Sequence, residues 1–365
     1  MTAKRIFSSI KINWRLLVPG VLLNIVGLLS IYSSSIQRGD FLNFKKQLLF
    51  LVLSLAIALV ISLIDLRFLK ANSYLIFTLY VLSLISLAGL LFLGEQTRGI
   101  MGWYKIGPIS FDPEPIAAII LIIVLSKYFS SRHVEIHMAR AIVWSGIYGF
   151  LPVVLVLFQP DLGSSISLVV VWLGMILFSG IKPVHLLIII ILFCLVFALA
   201  WSFYLHDYQK QRIVTFLNPH IDEKGVAWSV NQSKIAIGNG GFLGKGVGHG
   251  SQTQYGFLSE PKTDFIFSAI AEEFGFAGIA VLFCLFAALF WQIVGIIYQA
   301  QSNFLRLFAF GFAFLLISQI AINIGMCLGL FPVVGIPLPF VSYSGSSTLA
   351  FYIGLGILMS LERRG

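Results

Sequence analysis

Apolar residues in this chain fall in long runs rather than at the spacing of an amphipathic helix or a half-buried strand. The runs are Leu16 to about Tyr32, Gln47 to Ile64, Ser73 to Leu93, Ile116 to Phe129, Ala141 to Phe158, Leu162 to Ser179, Val184 to Tyr204, Phe265 to Ile297, Leu305 to Leu330 and Val341 to Leu361. A helix that crosses a bilayer needs about 20 such residues, and a helix apolar on every face belongs in lipid or deep in a core. The pattern predicts an all-α integral membrane protein of about ten transmembrane helices, folded as one polytopic domain over 1–365. Its longest interruption, 205–263, falls between the seventh and eighth runs and predicts a long loop. The first run reads as an uncleaved span, because a signal peptide has a shorter apolar core and a clearer cleavage site than Ser33 to Ser35 offers.

Composition agrees and removes other classes. Of the 365 residues, 58% are hydrophobic and 11% charged, with a mean hydropathy of +0.96, whereas soluble domains carry about 25% charged residues. The net charge of +9 does not imply nucleic acid, because the cations sit in short loops where they set topology and meet anionic headgroups. On the side of the termini lie Lys4, Arg5, Lys11, Arg15, Arg67, Lys70, Lys127, Arg132, Arg140, Lys182, Arg306, Arg363 and Arg364. Opposite them lie Arg38, Lys45, Lys46, Arg98 and Lys105, so both termini are expected in the cytoplasm and 205–263 outside it. Cys194, Cys284 and Cys327 lie in apolar runs without metal or redox spacing and read as small core residues. No motif for an organic cofactor is present.

The candidate chemistry gathers in one polar, glycine-rich stretch, Asn231 to Gly278, which delivers a carboxylate, Asp264, to the mouth of an apolar helix. Ionisable groups at such places are costly and mark pathways or reaction centres. With Thr263 as N-cap, Asp264 also complements the helix dipole, which favours its ionised form for a general base or a metal ligand. Glu272 and Glu273 follow about 12 Å deeper and are expected to face the bundle interior in a structural role. The glycines between Gly238 and Gly250 form either a backbone cradle for phosphate, with Lys234 and Lys245 as its charges, or a flexible surface loop. The run does not match a Walker A loop. Asp161 in Gln159-Pro160-Asp161 is a second carboxylate at the same face, with turn and cap chemistry as its plainer explanation. Gly335 to Phe340 cannot be helix, with prolines at 337 and 339. The hydroxyl-rich Ser342 to Ser347 after it is expected to line a cavity, with Ser342 and Ser346 as substrate contacts.

The runs IAIGNGGFLGKG, SQTQYGFLSE, KTDFIFSAIAEEFGFAG, QPDLGSS and NIGMCLGLFPVVGIPLPFVSYSGSS resemble the shape, elongation, division and sporulation (SEDS) family, and are nearer its elongation member than its division member. The resemblance implies a peptidoglycan glycosyltransferase that polymerises lipid II on the outer face of the bacterial cytoplasmic membrane, working with a class B penicillin-binding protein. It places the family's essential acid on Asp264 and its QPDLG acid on Asp161. The family's GTQTQ segment falls on Gly250, Ser251, Gln252, Thr253 and Gln254. A divalent cation, magnesium or manganese, bound near Asp264 is the alternative to a general base. The chain departs from the family where Gly102 replaces an arginine, Pro115 a glutamate, Ala118 a lysine and Ser344 a glycine. With two cations gone, Arg98, Lys105, Lys234 and Lys245 remain to hold pyrophosphate, and Arg98 is the nearest substitute. A silent scaffold for cell-wall enzymes and a flippase for lipid-linked precursors are the rival functions, the second disfavoured because the polar groups cluster at one face.

Overall fold

The structure is a computed structural model that describes residues 13–36, 39–97, 100–107, 109–131, 139–218 and 225–364. Among the described residues nine helices are long and apolar enough to cross a membrane. They are α1 (Trp14–Ile36), α2 (Leu42–Leu63), α4 (Ser73–Leu93), α5 (Glu114–Ser131), α6 (Ala139–Phe158), α8 (Pro183–Phe203), α12 (Ile266–Gln299), α13 (Asn303–Leu328) and α14 (Gly345–Arg364). The tenth expected crossing, α7 (Leu162–Phe178), has 17 residues and rises only about 26 Å. A short helix, α3 (Arg67–Ala71), links α2 to α4. The expected mostly helical membrane fold is present, with one unanticipated addition, a three-stranded antiparallel sheet of β1 (Glu95–Thr97), β2 (Ile100–Ile106) and β3 (Ile109–Phe111). The stretch 205–263 is not an open loop either. It contains α9 (Asp207–Leu217), α10 (Val226–Asn239) and the single turn α11 (Ser251–Gln254).

The bundle is built around α13 and α14. Helix α14 packs along α2 and against α5, α13 lies against α5, α7 and α12, and α12 crosses α1. Phe308, Phe312, Phe351 and Tyr352 fill the centre. Lipid supplies no hydrophobic drive for helix association, so close packing and polar pairs must hold the spans together, at about 0.6 kcal/mol for an interhelical hydrogen bond. Asn24 of α1 donates to the Tyr352 hydroxyl at 3.2 Å, Gln47 of α2 to Thr348 Oγ1 at 3.1 Å, and Gln319 of α13 to Ser167 Oγ of α7 at 3.2 Å. Helix α8 is the exception, with no buried residue along its length. Ile189 packs against the core, and just past its C-terminal end the Tyr204 hydroxyl donates to Leu157 O at 2.8 Å.

Helix α12 breaks at Gly275, whose φ of 65° and ψ of −162° suit glycine alone. The break frees main-chain groups at membrane depth, and the glycine-rich segment after α10 satisfies them. Lys245 N donates to Glu272 O at 3.0 Å and Gly246 N to Glu273 O at 2.9 Å, while Phe276 N and Ala277 N donate back to Gly241 O and Phe242 O. This corrects the phosphate-cradle reading of the glycines, because the amides of Lys245 and Gly246 are already used by helix α12. Glycine is needed for contact: a Cβ on Gly244, at φ +80°, would lie 2.1 Å from Glu273 O. Gly244→Ala should therefore destabilise the protein by at least about 2 kcal/mol, read as a lower melting temperature in detergent. Gly238→Ala, at an open helical site, should be neutral or stabilising by up to about 1 kcal/mol.

Candidate active site

Asp264 sits half-buried on a turn, not in the first turn of a helix. Helix α12 begins two residues later, with Phe265 at its N-cap position and no side-chain cap, so the expected capping by Thr263 is not what forms. Instead Thr263 N and Phe265 N both donate to Glu260 O at 3.2 Å, which folds 260–265 back on itself. Three other segments then grip this turn. Asn323 of α13 donates from one amide to Asp264 O at 3.1 Å and to Ile336 O at 2.8 Å. The Ser342 hydroxyl donates to Thr263 O at 2.6 Å while accepting from Leu338 N at 2.8 Å. Tyr343 N donates to Lys262 O at 2.8 Å, and Lys262 Nζ reaches Ser35 Oγ of α1 at 3.0 Å. The proline segment is non-helical as expected, and it passes beside the carboxylate at Gly335, whose φ of +76° favours glycine.

The two deeper acids hold backbone, as their burial required. Glu272 is fully buried and accepts from Gln252 N at 2.8 Å, Thr253 N at 3.0 Å, Thr253 Oγ1 at 2.8 Å and Ser251 Oγ at 3.2 Å. It thereby caps α11 from outside, as an N-cap carboxylate would from within. Glu273 accepts from Ser33 of α1 and from Gln254 Nε2, and Gln254 also donates to Ser33 O at 3.0 Å. Gln252, Thr253 and Gln254 are thus held against Glu272, Glu273 and Ser33 by their main chain or side chains. Lys245 is exposed, with Nζ 3.4 Å from Ser251 Oγ. Arg98 lies outside the described residues. Lys105 pairs with Glu95 across the small sheet.

A family model for cell cycle proteins of the FtsW, RodA and SpoVE group matches residues 13–365. The chain belongs to that family. It is 38% identical to the peptidoglycan glycosyltransferase MrdB of Escherichia coli over 269 residues, which is 74% of this chain and 72% of MrdB. Its fold is similar to the crystal structure of the rod shape determining protein RodA of Thermus thermophilus, with a TM-score of 0.71 at 27% identity over 97% of each chain. It is also similar to a chain from a peptidoglycan synthase complex that coordinates polymerisation and crosslinking, with a TM-score of 0.81 at 27% identity over 97% of this chain and 98% of that one.

A group of buried carboxyls gathers where α5 and α7 begin. Asp161 is the N-cap of α7 and accepts from Ser164 N at 3.1 Å and Ser164 Oγ at 2.7 Å. Burial pushes its carboxyl above the usual range, opposed by those hydrogen bonds and by the nearby Arg212 of α9. Ser346 accepts from Asp112 N at 2.8 Å, so this hydroxyl fixes the α5 entrance from α14. Asp112 Oδ1 in turn accepts from Glu114 N at 2.9 Å. Burial, with Asp161 adding to it, raises the Asp112 carboxyl to about 7. Pro115 takes a first-turn position that proline tolerates, and Ala118, one turn on from Glu114, is buried against the core. The polar residues missed from sequence were Asn323, a lone amide in an apolar run, and Arg212, hidden in what read as loop.

An acid with a raised folded pKa destabilises the fold once it must ionise. Between the unfolded value near 3.8 and about 7 the unfolded chain loses a proton that the folded one keeps, so stability falls as pH rises through that window. Asp112→Asn keeps the acceptor for Glu114 N and removes the charge. It should melt higher than the parent at pH 8 and close to it at pH 4, with Glu114, Asp161 and Arg212 unchanged around it.

Proposed function

We propose that the chain is a peptidoglycan glycosyltransferase that polymerises lipid II into β-1,4 glycan strands during cell elongation, with Asp264 as its general base. The names of its relatives support the transferase class. The observation that carries the site is the tethered turn: Asp264 is half-buried on backbone tied to α1, α13 and the proline segment. Such over-determined placement is what positioned catalysis needs, since a base works only within hydrogen-bond reach of its proton. Asp264 takes the proton of the acceptor sugar's 4-hydroxyl as that oxygen attacks the donor's anomeric carbon, and polyprenyl diphosphate departs from the opposite face, inverting the configuration. Lys234, Lys245 and the 251–254 turn contact the lipid-linked substrates, and Asp161 acts from the neighbouring α7 end.

The residues present do not make a protein-only metal site. Among the described residues no group of three or more His, Cys, Asp and Glu is placed to hold a metal ion. Magnesium or manganese at Asp264 would take one carboxylate from the chain and its other ligands from substrate oxygens and water.

In this reading the Asp264 end of the bundle faces outward and both termini face the cytoplasm. Lys70, Lys127, Arg140, Lys182 and Arg306 lie at the opposite end of the spans, where short cytoplasmic loops carry positive charge. Crosslinking of the strands falls to a class B penicillin-binding protein, and its co-purification from native membranes in mild detergent is the expected outcome. Recovery of no such protein above background would remove the partner from the proposal.

Asp264→Asn is nearly isosteric and cannot act as a base. In liposomes carrying lipid II, it should lower the polymerisation rate at least about 100-fold without changing the amount of folded protein. Undiminished polymerisation by the variant would sink the base assignment. A parent protein that makes no glycan and moves no lipid would support the scaffold reading, which the losses at Gly102, Pro115 and Ala118 favour.

A further inference from the structure

From Leu307 to Leu328 the side chains of α13 are apolar apart from Ser318, Cys327 and two amides, Gln319 and Asn323. Four residues apart, the amides share one face of the helix. Both are buried, Asn323 completely. A polar side chain inside a span is costly and ordinarily serves to pair helices. Gln319 does this, donating to Ser167 Oγ of α7 at 3.2 Å. Asn323 instead donates to two main-chain oxygens outside the spans. One is Asp264 O at 3.1 Å, on the turn that carries the carboxylate, and the other is Ile336 O at 2.8 Å, in the proline segment.

Both acceptors are carbonyls that helix geometry leaves open. In a regular helix Asp264 O would take Ser268 N, but Ser268 N and Ala269 N both donate to Phe265 O at 3.1 Å, because α12 begins only at Ile266. Prolines at 337 and 339 keep Ile336 O from being answered along its own segment as a helix carbonyl is. Cys327, one turn further along the same face, reaches Asp264 O from 3.6 Å, but a thiol is a weak donor. Asn323 Oδ1 is itself buried with no hydrogen bond among the described residues, so half of the amide is kept at a desolvation cost. Helix pairing does not explain that cost, since neither acceptor belongs to a neighbouring span.

We infer that Asn323 is a positioning residue for the transfer reaction: its one amide nitrogen ties the Asp264 turn to the proline segment and so fixes where the carboxylate stands. The nitrogen's two hydrogens serve different segments, so neither segment shifts against the other without stretching a bond. A misplacement of about 1 Å at a reacting group costs roughly 100-fold in rate, which is the loss this tether guards against. Asn323 touches no reacting atom in this scheme and acts through Asp264. Its role in the reaction rests on the reading of Asp264 as the base, whereas the tether does not.

The test compares Asn323→Leu with Gln319→Leu in the full chain, in liposomes carrying lipid II. Leucine keeps the branched shape and donates nothing. Asn323→Leu should lower kcat at least about 30-fold with KM within about threefold of the parent, whereas Gln319→Leu should leave both within about threefold. Hydrogen exchange of the amides in 260–265, read by mass spectrometry, should quicken at least about tenfold in Asn323→Leu and stay at the parent's rate in Gln319→Leu. Melting temperatures in detergent identify a variant that has lost its fold. If Asn323→Leu has, Asn323→Asp takes its place, with nearly the same shape and at most one hydrogen to donate, and its kcat should fall at least about tenfold. Parent-level kcat in the folded variant overturns the inference. An equal fall in Gln319→Leu overturns it too, by making the effect one of helix packing. A rise in KM alone assigns Asn323 to substrate binding instead, and unchanged exchange beside a lost kcat removes the turn as its route. Asp264→Asn decides the base separately. If it polymerises at the parent's rate while Asn323→Leu quickens exchange, the base reading fails and the tether stands; if it is slow while Asn323→Leu matches the parent in kcat and exchange, the tether alone fails.

Discussion

Inside a bilayer the main chain has no water to bond with, so each break in a helix must be satisfied by protein, at several kcal/mol for each group left over. This chain carries two such breaks near one end of its bundle, at Gly275 in α12 and across the proline segment before α14. They are satisfied by different means. The first is closed by main chain, four hydrogen bonds between 241–246 and 272–277 at 2.9 to 3.0 Å. The second is closed by side chains, Asn323 on Ile336 O and Ser342 on Leu338 N. Asp264 lies on a turn that the groups of the second closure also hold, Asn323 on Asp264 O and Ser342 on Thr263 O.

That arrangement explains why buried carboxyls surround the site without all being reactive. Glu272 and Glu273 answer the amides and hydroxyls of α11 and α1, so their oxygens serve to fix the outer segment in place. Asp161 and Asp112 cap the starts of α7 and α5 in the same way. Asp264 differs in that the grips on its turn fall on main-chain oxygens, those of Lys262, Thr263 and Asp264 itself. A carboxylate carried on main chain that is tied at three successive oxygens is held in one place, as preorganised sites require.

How much of this could be read from the sequence follows from what each pattern encodes. The spans were legible because lipid demands about 20 apolar residues whatever the partner helix, and the run boundaries match the helix ends closely at Ser73 to Leu93 and Ala141 to Phe158. The proline segment was legible because a pyrrolidine ring excludes helix locally. Asp264 stood out through the cost of an acid at that depth. The glycine-rich run misled, because glycine permits close backbone approach to any acceptor, and periodicity does not say whether that acceptor is a phosphate or Glu273 O. Ser342 and Ser346 were expected as substrate contacts, and their hydroxyls bond Thr263 O and Asp112 N, partners 79 and 234 residues away that no local pattern specifies. The sheet at 95–111 was missed because its strands are three to seven residues long and carry no sustained alternation.

At the start of α5 buried carboxyls stand together with no cation on the same helical turn. A lysine at 118 would stand one helical turn from Glu114, whose Oε1 is now buried without a hydrogen bond. Alanine there leaves the carboxyls of Asp112, Glu114 and Asp161 without a cation on α5. Arg212 approaches the same group from α9, facing Asp161 from a helix outside the spans. Its planar guanidinium needs no burial in the bundle to act. A cation carried on α9 can serve Asp161 from outside the spans, which a buried lysine on α5 could not.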